Sequence, residues 1–478
     1  MIDQQTTISK QDSAKEIFQS QKKTALDWRL STFKERIARI KLIRDWVKEN
    51  KVDIQNAIFE DFKKPAAETD LSEVFPITSE INHTISKLGS WMKPQKVGTP
   101  LAMIGTSGKI IYEPKGVSLI IGPWNYPFNL TIGPLISALA AGCPVIIKPS
   151  ELTPHTSELI HRMISELFKP SEVMVFQGGV DMAKSLLALP FDHIFFTGSP
   201  SVGKIVMEAA AKNLTSVTLE LGGKSPVIIS PEADLKDAAE KLIGGKYINA
   251  AQTCVAPDYI FAHSEVKERL ILEMKSAIQR MYDPNFEGIE KSKDLARIIN
   301  EKNFDRLNAM LKDAIQLGAK IEFGGSVNQR DRFIEPTLLT NINHSMKIMQ
   351  EEIFGPLLPI LEYSELDHAI SFINANPKPL ALYYFGKKGQ ESSRVLKETS
   401  SGNAVLNDCV IHFLHPNLPF GGVNNSGIGS AHGHFGFLAF SHQKGVLSQR
   451  VGYNNVSLMR PPYTTATREL ISKLIKWL

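Results

Sequence analysis

The stretch HIFFTGSPSVGKIVMEAAAKNLTSVTLELGG, residues 193–223, reads as a strand, a tight turn, a helix and a second strand. A β-rich run through Phe195 and Phe196 enters Thr197-Gly198-Ser199, a helical pattern follows from Val202 to Lys212, and a second apolar run carries Val217 to Leu221. Two strands joined by a helix form a βαβ unit of a parallel sheet. Similar runs at 117–121, 145–147, 173–176 and 227–229, with a helical stretch at 156–168, extend the pattern to both sides. The fold class is therefore α/β on a mainly parallel sheet, whose ligands belong at the carboxyl ends of the strands.

Before this region the chain is helical in pattern. In RLSTFKERIARIKLIRDWVKEN, Phe33, Ile37, Ile40, Leu42, Ile43 and Trp46 recur at three- and four-residue spacing. After it comes a second alternating region, with helical patterns at 234–249, 266–281 and 295–317 and strand-like runs at 259–262, 357–361 and 380–385. This predicts a second α/β domain. The boundary is placed near Gly222 and Gly223, where a strand meets a flexible turn.

A chain of 478 residues with 43% hydrophobic and 22% charged side chains has ample apolar surface for two cores. Its 54 basic and 50 acidic residues leave +4, too weak a balance to call for nucleic acid or a polybasic membrane contact. Small-molecule chemistry is the better expectation. Cys143, Cys254 and Cys409 are too few for a disulfide framework and lie near no histidine at zinc-ligand spacing, so no metal is expected. The polar N-terminus shows no secretory pattern, which predicts a cytoplasmic protein. Residues 116–147 hold no charge, yet Pro123, Pro127, Pro134 and Pro144 interrupt them. They read as strand, loop, short helix and strand rather than as a membrane span.

Four features carry candidate chemistry. Gly198 and Gly203 give G-x-x-x-x-G between strand and helix, where backbone could approach a pyrophosphate at the helix N-terminus. The spacing is neither the dinucleotide fingerprint nor a phosphate-binding Walker loop, and an ordinary turn reads the same way. Cys254 follows Asn249, Gln252 and Thr253, a polar setting, although a lone cysteine is more often a buried small hydrophobe. Cys143 fits that bland description and Cys409 is undecided. Glu220 stands on an apolar strand, where desolvation raises a carboxyl pKa toward that of a general base; a salt-bridged or edge-strand glutamate is the alternative. Glu351 and Glu352 read by composition as a solvated helix end.

Taken together, the chain resembles the aldehyde dehydrogenase superfamily from about residue 10 to about residue 450. The ordered segments that carry this are Gly122-Pro123-Trp124-Asn125-Tyr126-Pro127, Lys148-Pro149-Ser150-Glu151, Phe196-Thr197-Gly198-Ser199, Leu219-Glu220-Leu221-Gly222-Gly223-Lys224, Gln252-Thr253-Cys254, Glu351-Glu352-Ile353-Phe354-Gly355-Pro356 and Pro419-Phe420-Gly421-Gly422. The run from Gln252 to Tyr259, the short N-terminus and Phe440-Ser441-His442-Gln443 are most similar to the class 3 and fatty-aldehyde branch. One departure is Asn424, where relatives commonly have glycine; asparagine tolerates positive φ better than other side chains.

The resemblance implies a Rossmann-type cofactor domain at 1–95 and 115–222, a catalytic domain at 223–402, bridging segments at 96–114 and 403–445, and a tail at 446–478. It implies oxidation of an aldehyde to an acid with NAD, NADP being the alternative. Cys254 would be the nucleophile, Glu220 the base that hydrolyses the thioester, and Asn125 with the Cys254 backbone N–H the oxyanion site. Cofactor contacts would come from Trp124, Lys148, Glu151, Thr197, Gly198, Ser199, Gly203, Glu352 and Phe354, and Tyr126 would line the aldehyde entrance. A coenzyme A-acylating or acyl-phosphate-reducing relative, or a non-catalytic structural protein, are the competing readings; the retained Glu220 and the full catalytic set stand against them. A homodimer is expected. In the tail, Leu470, Ile471, Leu474, Ile475 and Leu478 share a helical face beside Arg468, Lys473 and Lys476, which reads as a packed terminal helix in preference to a membrane contact.

Overall fold

The computed structural model describes residues 10–452, 454 and 460–477. Strands β3 (Ser118–Ile121), β4 (Val145–Lys148), β5 (Val173–Val175), β6 (His193–Thr197) and β7 (Ser216–Glu220) are mutually parallel; β17 (Gly427–Ile428) adds antiparallel to β7, giving the order β17-β7-β6-β3-β4-β5. The chain winds outward from β3 to β5 and then crosses to β6 on the other side. The winding therefore reverses between β3 and β6, where doubly wound sheets take their ligands. Strands β3, β4 and β6 are buried throughout, which is why they read as unbroken apolar runs. The uncharged stretch resolves as β3, a loop, the buried helix Asn129–Ala141 and β4. Among the described residues no helix is long and apolar enough to cross a membrane.

The N-terminal helices pack on this unit. Ile37, Ile40, Ile43 and Trp46 are buried, whereas Phe33 and Leu42 of the same pattern are exposed. The helix Phe33–Glu49 opens with a capping box: the Glu35 carboxylate accepts the Thr32 N–H at 2.6 Å and the Thr32 hydroxyl accepts from Glu35 N–H. Arg36, one turn in, donates at 3.0 and 2.7 Å to the carbonyls of Ala140 and Ala141, the electronegative end of the helix Asn129–Ala141.

The second unit has strands β8 (Pro226–Ile229), β9 (Tyr259–His263), β10 (Lys320–Phe323), β13 (Thr337–Thr340), β14 (Leu357–Tyr363), β15 (Ala381–Phe385) and β16 (Asn403–Leu406) in the order β10-β13-β14-β9-β8-β15-β16. Only β10 is antiparallel to its neighbour. The short strands β11 (Val327–Asn328) and β12 (Phe333–Ile334) form a small hairpin beside it. A third sheet, β1 (Gln95–Val97), β2 (Thr106–Pro114) and β18 (Ser441–Gln449), stands out from the body and is mostly solvent-facing.

Several expectations shift. Residues 295–300 are not helical: Arg297 N–H bonds to the Phe62 carbonyl, Ile298 N–H to Arg332 and Ile299 N–H to the Gln252 side chain, and the helix begins only at Glu301 behind an Asn300 cap. Leu295, Ile298 and Ile299 mimic helical spacing because an extended crossing buries them. Asn403–Leu406 pairs with β15 at the end of the seven-stranded sheet, and β18 keeps its register with β2 as far as Gln449 and Thr106. In the tail, the helix Thr465–Trp477 half-buries Leu470, Ile471 and Leu474 and leaves Ile475 exposed, so its own chain covers the apolar face only in part; Leu478 lies outside the described residues.

Candidate active site

Four parallel strands end side by side. Ile121 of β3 is in register with Lys148 of β4 and with Phe196 of β6, and Thr197 pairs with Glu220 of β7. The loops leaving these ends carry Trp124, Asn125 and Tyr126; Glu151; Gly198 and Ser199; and Leu221 to Gly223. Against them stand the segments that lead into β8, β9 and β14, which contribute Lys224, Cys254 and Glu352.

On the first side, Ser199 caps the helix Pro200–Ala211 by accepting from Val202 N–H at 3.4 Å, and Gly198 N–H donates to the Glu220 carbonyl at 3.0 Å. A Cβ on Gly203 would fall 2.8 Å from Leu221, and one on Gly198 would fall 2.5 Å from the Phe196 ring. Close packing of the chain on itself therefore accounts for both glycines. What remains open to an anion is the capped helix N-terminus. Lys148, buried at the end of β4, pairs with the half-exposed Glu151 carboxylate. Burial, the largest single influence, pushes Glu151 upward, but the Lys148 hydrogen bond, the Glu151 backbone N–H and the Lys148 charge together hold it below the ordinary range.

Glu352 departs from its reading as a solvated helix end. Its carboxylate lies directly on Gly222, where a Cβ would come within 2.3 Å of Oε2. The glycine there serves close approach, not turn flexibility. Burial, then the Asp258 carboxylate, push Glu352 up to about 8 against the pull of the Gly223 N–H, Lys224 and Arg306. The turn is clamped from three sides: Asp258 accepts Ile353 N–H at 2.9 Å, Lys224 donates to the Ile348 and Glu351 carbonyls at 2.8 and 2.9 Å, and Arg306 donates to Ile353 at 2.7 Å. Phe354 follows at φ +50° with its ring edge-on to Trp124, centroids 5.3 Å apart.

Cys254 closes the site. The Asn125 amide donates to the Gln252 carbonyl at 3.0 Å, and the Tyr126 hydroxyl meets Thr253 Oγ1 at 2.6 Å, so both residues of the β3 loop are fastened beside the thiol. Gln252 is itself fixed by bonds to Asn249, Arg297 and Ile299. Burial, then the Glu352 and Glu220 carboxyls, push the Cys254 thiol up to about 12. Glu220 is 6% exposed, neither carboxyl oxygen has a partner, and burial holds its pKa well above the ordinary value. The structure thus brings the partly accessible Cys254 thiol, the buried Glu220 carboxyl and the Asn125 amide to one site.

Cys143 and Cys409 are buried elsewhere, and burial raises both thiols, as befits inert packing groups. Asn424 adopts φ +54°, the left-handed conformation its residue type allows. A small cleft apart from these residues is lined by Pro76, Ile77, Ser79, Glu80, Phe413 and His432, and Phe420 sits between His412 and His432 with centroids 5.6 and 5.4 Å away. No group of three or more metal-ligating side chains occurs among the described residues. Sequence reasoning missed Lys64, Glu68, Asn249, Asp258 and Arg306, whose partners lie far along the chain and leave no local signal.

Residues 3–446 match the Aldehyde dehydrogenase family. The chain is 47% identical to the putative aldehyde dehydrogenase AldX of Bacillus subtilis, over 92% of this chain and 98% of that one. It is 42% identical to aldehyde dehydrogenase family 3 member B2 of Mus musculus, over 91% and 90%. The fold superimposes on the substrate-bound state of Staphylococcus aureus AldH with a TM-score of 0.91 and 41% identity, covering 96% of this chain and 99% of the other. The chain belongs to the aldehyde dehydrogenase family, on its class 3 side, and is an enzyme that oxidises aldehydes with a nicotinamide cofactor.

Proposed function

We propose that the enzyme oxidises its aldehyde through a covalent intermediate on Cys254, and that it prefers NAD. The observation that carries this reading is the partnerless, buried Glu220 carboxyl within electrostatic reach of the Cys254 thiol, beside which Asn125 is fastened through Gln252. A carboxyl kept without partners is costly unless a transient ligand uses it.

The Cys254 thiol gives its proton to solvent, and the thiolate so formed adds to the aldehyde carbon. The oxygen that becomes negative is met by Asn125, which has a second N–H beyond the one given to Gln252, and by the Cys254 backbone N–H. When bound, the oxidised nicotinamide supplies the hydride acceptor and a positive charge. Loss of hydride leaves a thioester on Cys254. Glu220, in its ionised form, then takes a proton from water, which attacks the thioester carbon and expels the thiolate; its raised pKa makes it a stronger base than an ordinary carboxylate. A water-directed base argues against transfer of the acyl group to coenzyme A or phosphate, and the intact set argues against a purely structural role.

The cofactor fits the residues present. The helix N-terminus at Ser199, with Thr197, Gly198 and Gly203 shaping the turn, suits the pyrophosphate, and Lys148 with Glu151 suits the adenosine ribose. Glu352, seated on Gly222 beside Phe354 and Trp124, suits the nicotinamide ribose. The Glu151 charge opposes a 2′-phosphate, which favours NAD. Tyr126, held against Thr253 beside Cys254, suits the aldehyde entrance. Residues 1–95 and 115–222 act as the cofactor domain and 223–402, completed by β16, as the catalytic domain. Strands β16 and β18 each end a sheet with an open edge, which suits pairing across a cytoplasmic homodimer that covers the tail helix. Steady-state kinetics on straight-chain and aromatic aldehydes with each cofactor test the reading. Higher kcat/KM with NAD is expected; higher efficiency with NADP would refute the Glu151 argument.

A further inference from the structure

The segment that delivers Cys254 is held in an unusual way. Asn249, Ala250 and Ala251 lie consecutively in the left-handed region, at φ +58°, +51° and +62°, although none is glycine. Such a run costs free energy at each residue and persists only where surroundings enforce it. The first enforcing contact is Glu68, near the end of the short helix Ala66–Thr69, whose Oε1 accepts the Asn249 N–H at 2.7 Å. From the same residue, the Asn249 side chain donates to the Asn125 carbonyl at 2.8 Å and to the Gln252 carbonyl at 3.1 Å. Lys64, buried and paired with Glu73 at 2.8 Å, reaches the Asn125 carbonyl at 3.4 Å. A single pin on Asn249 is thus shared by the loop that bears Asn125 and the turn that bears Cys254.

We propose that Glu68 is a positioning residue for the reaction: by pinning the Asn249 N–H it holds the left-handed turn that sets the Cys254 thiol against the Asn125 amide. The inference rests on the roles given above to Cys254 and Asn125. Glu68 touches neither of them directly. Its role is to keep a strained backbone in a geometry that the chain would otherwise leave, so that the nucleophile and the oxyanion donor keep their separation. Burial, then Glu73 and Asp294, raise the Glu68 carboxyl to about 7 against Lys64 and the Asn249 N–H, and the phenols of Tyr126 and Tyr282 face the same carboxyl. The strength of the pin therefore varies across neutral pH.

The test is steady-state kinetics and thermal melting of Glu68→Ala, Glu68→Gln, Ala251→Gly and the double variant Glu68→Ala with Ala251→Gly. Loss of the pin should lower kcat about tenfold or more while KM for NAD stays within about twofold. Glutamine keeps an acceptor oxygen at the same reach, so it should retain most of kcat and flatten the pH profile near 7. Glycine at 251 makes the left-handed turn easy without the pin, and the double variant should recover several-fold of the lost kcat. A Glu68→Ala enzyme with unchanged kcat, or a loss that neither glutamine nor glycine repairs, would overturn the proposal. If Glu68→Ala does not fold, the glutamine variant's pH profile decides: a profile that keeps the wild-type step near 7 overturns it. An active Cys254→Ala enzyme would instead sink the catalytic reading on which the proposal rests, whatever Glu68 does.

Discussion

The two walls of the site are built by opposite means. The wall made by the carboxyl ends of β3, β4, β6 and β7 relies on glycines, a capped helix N-terminus and the half-exposed Glu151. The wall leading into β9 and β14 uses non-glycine residues in the left-handed region: Asn249, Ala250 and Ala251 before Cys254, and Phe354 after Glu352. Each such residue costs on the order of 1–2 kcal/mol. Hydrogen bonds from Glu68, Asp258 and Arg306 hold the strained segments in place. The relaxed wall suits a ligand that must enter and leave, whereas the strained wall fixes atoms that must not move.

That contrast can be broken by substitution. Cys254→Ala should abolish turnover, by about 10³-fold or more, while cofactor binding measured by fluorescence or calorimetry persists. Cys143→Ala and Cys409→Ala should remain active, since both thiols are buried packing groups. Removal of the Asn125 amide by Asn125→Ala should lower kcat by about 10²-fold, the usual cost of an oxyanion donor. On the relaxed wall, Gly203→Ala drives a methyl within 2.8 Å of Leu221. It should lower stability by about 1–3 kcal/mol and raise KM for NAD with little change in kcat. A kcat loss as large as that of Asn125→Ala would erase the distinction between the walls.

A smaller effect sharpens the electrostatic side. Glu352 is raised from 4.5 to about 8 in the fold, so the folded chain holds this proton more tightly than the unfolded one. Stability from this group is full below about 4.5 and is lost as pH rises to about 8. Glu352→Gln should therefore raise Tm more at pH 9 than at pH 5, read by scanning fluorimetry. A gain confined to pH 5 would show that the carboxyl is not desolvated on Gly222.

Local signals carried the βαβ unit at 193–223 and the helix–strand alternation, because the buried parallel strands β3, β4 and β6 each hold a run of adjacent apolar residues. Glu220 and Cys254 were legible as residue types in telling contexts, whereas Asn125 came only with the resemblance, which also supplied all three roles. Glu352 was misread because its burial comes from Gly222 and Asp258, far away in sequence. Glu68 was invisible for the same reason: its partner Asn249 is 181 residues distant. Residues 295–300 misled in the other direction, since an extended segment that buries Leu295, Ile298 and Ile299 copies the spacing of a helix.

The central claim is that Glu220 activates water against an acyl group held on Cys254. The direct measurement is rapid mixing of Glu220→Gln with NAD and aldehyde, followed by quenching and intact-mass spectrometry. A burst of reduced cofactor of about one equivalent per site is expected, followed by very slow turnover, with the mass raised by one acyl group that maps to the peptide containing Cys254. A burst with no adduct on Cys254, or steady turnover equal to that of the wild type, would contradict the account.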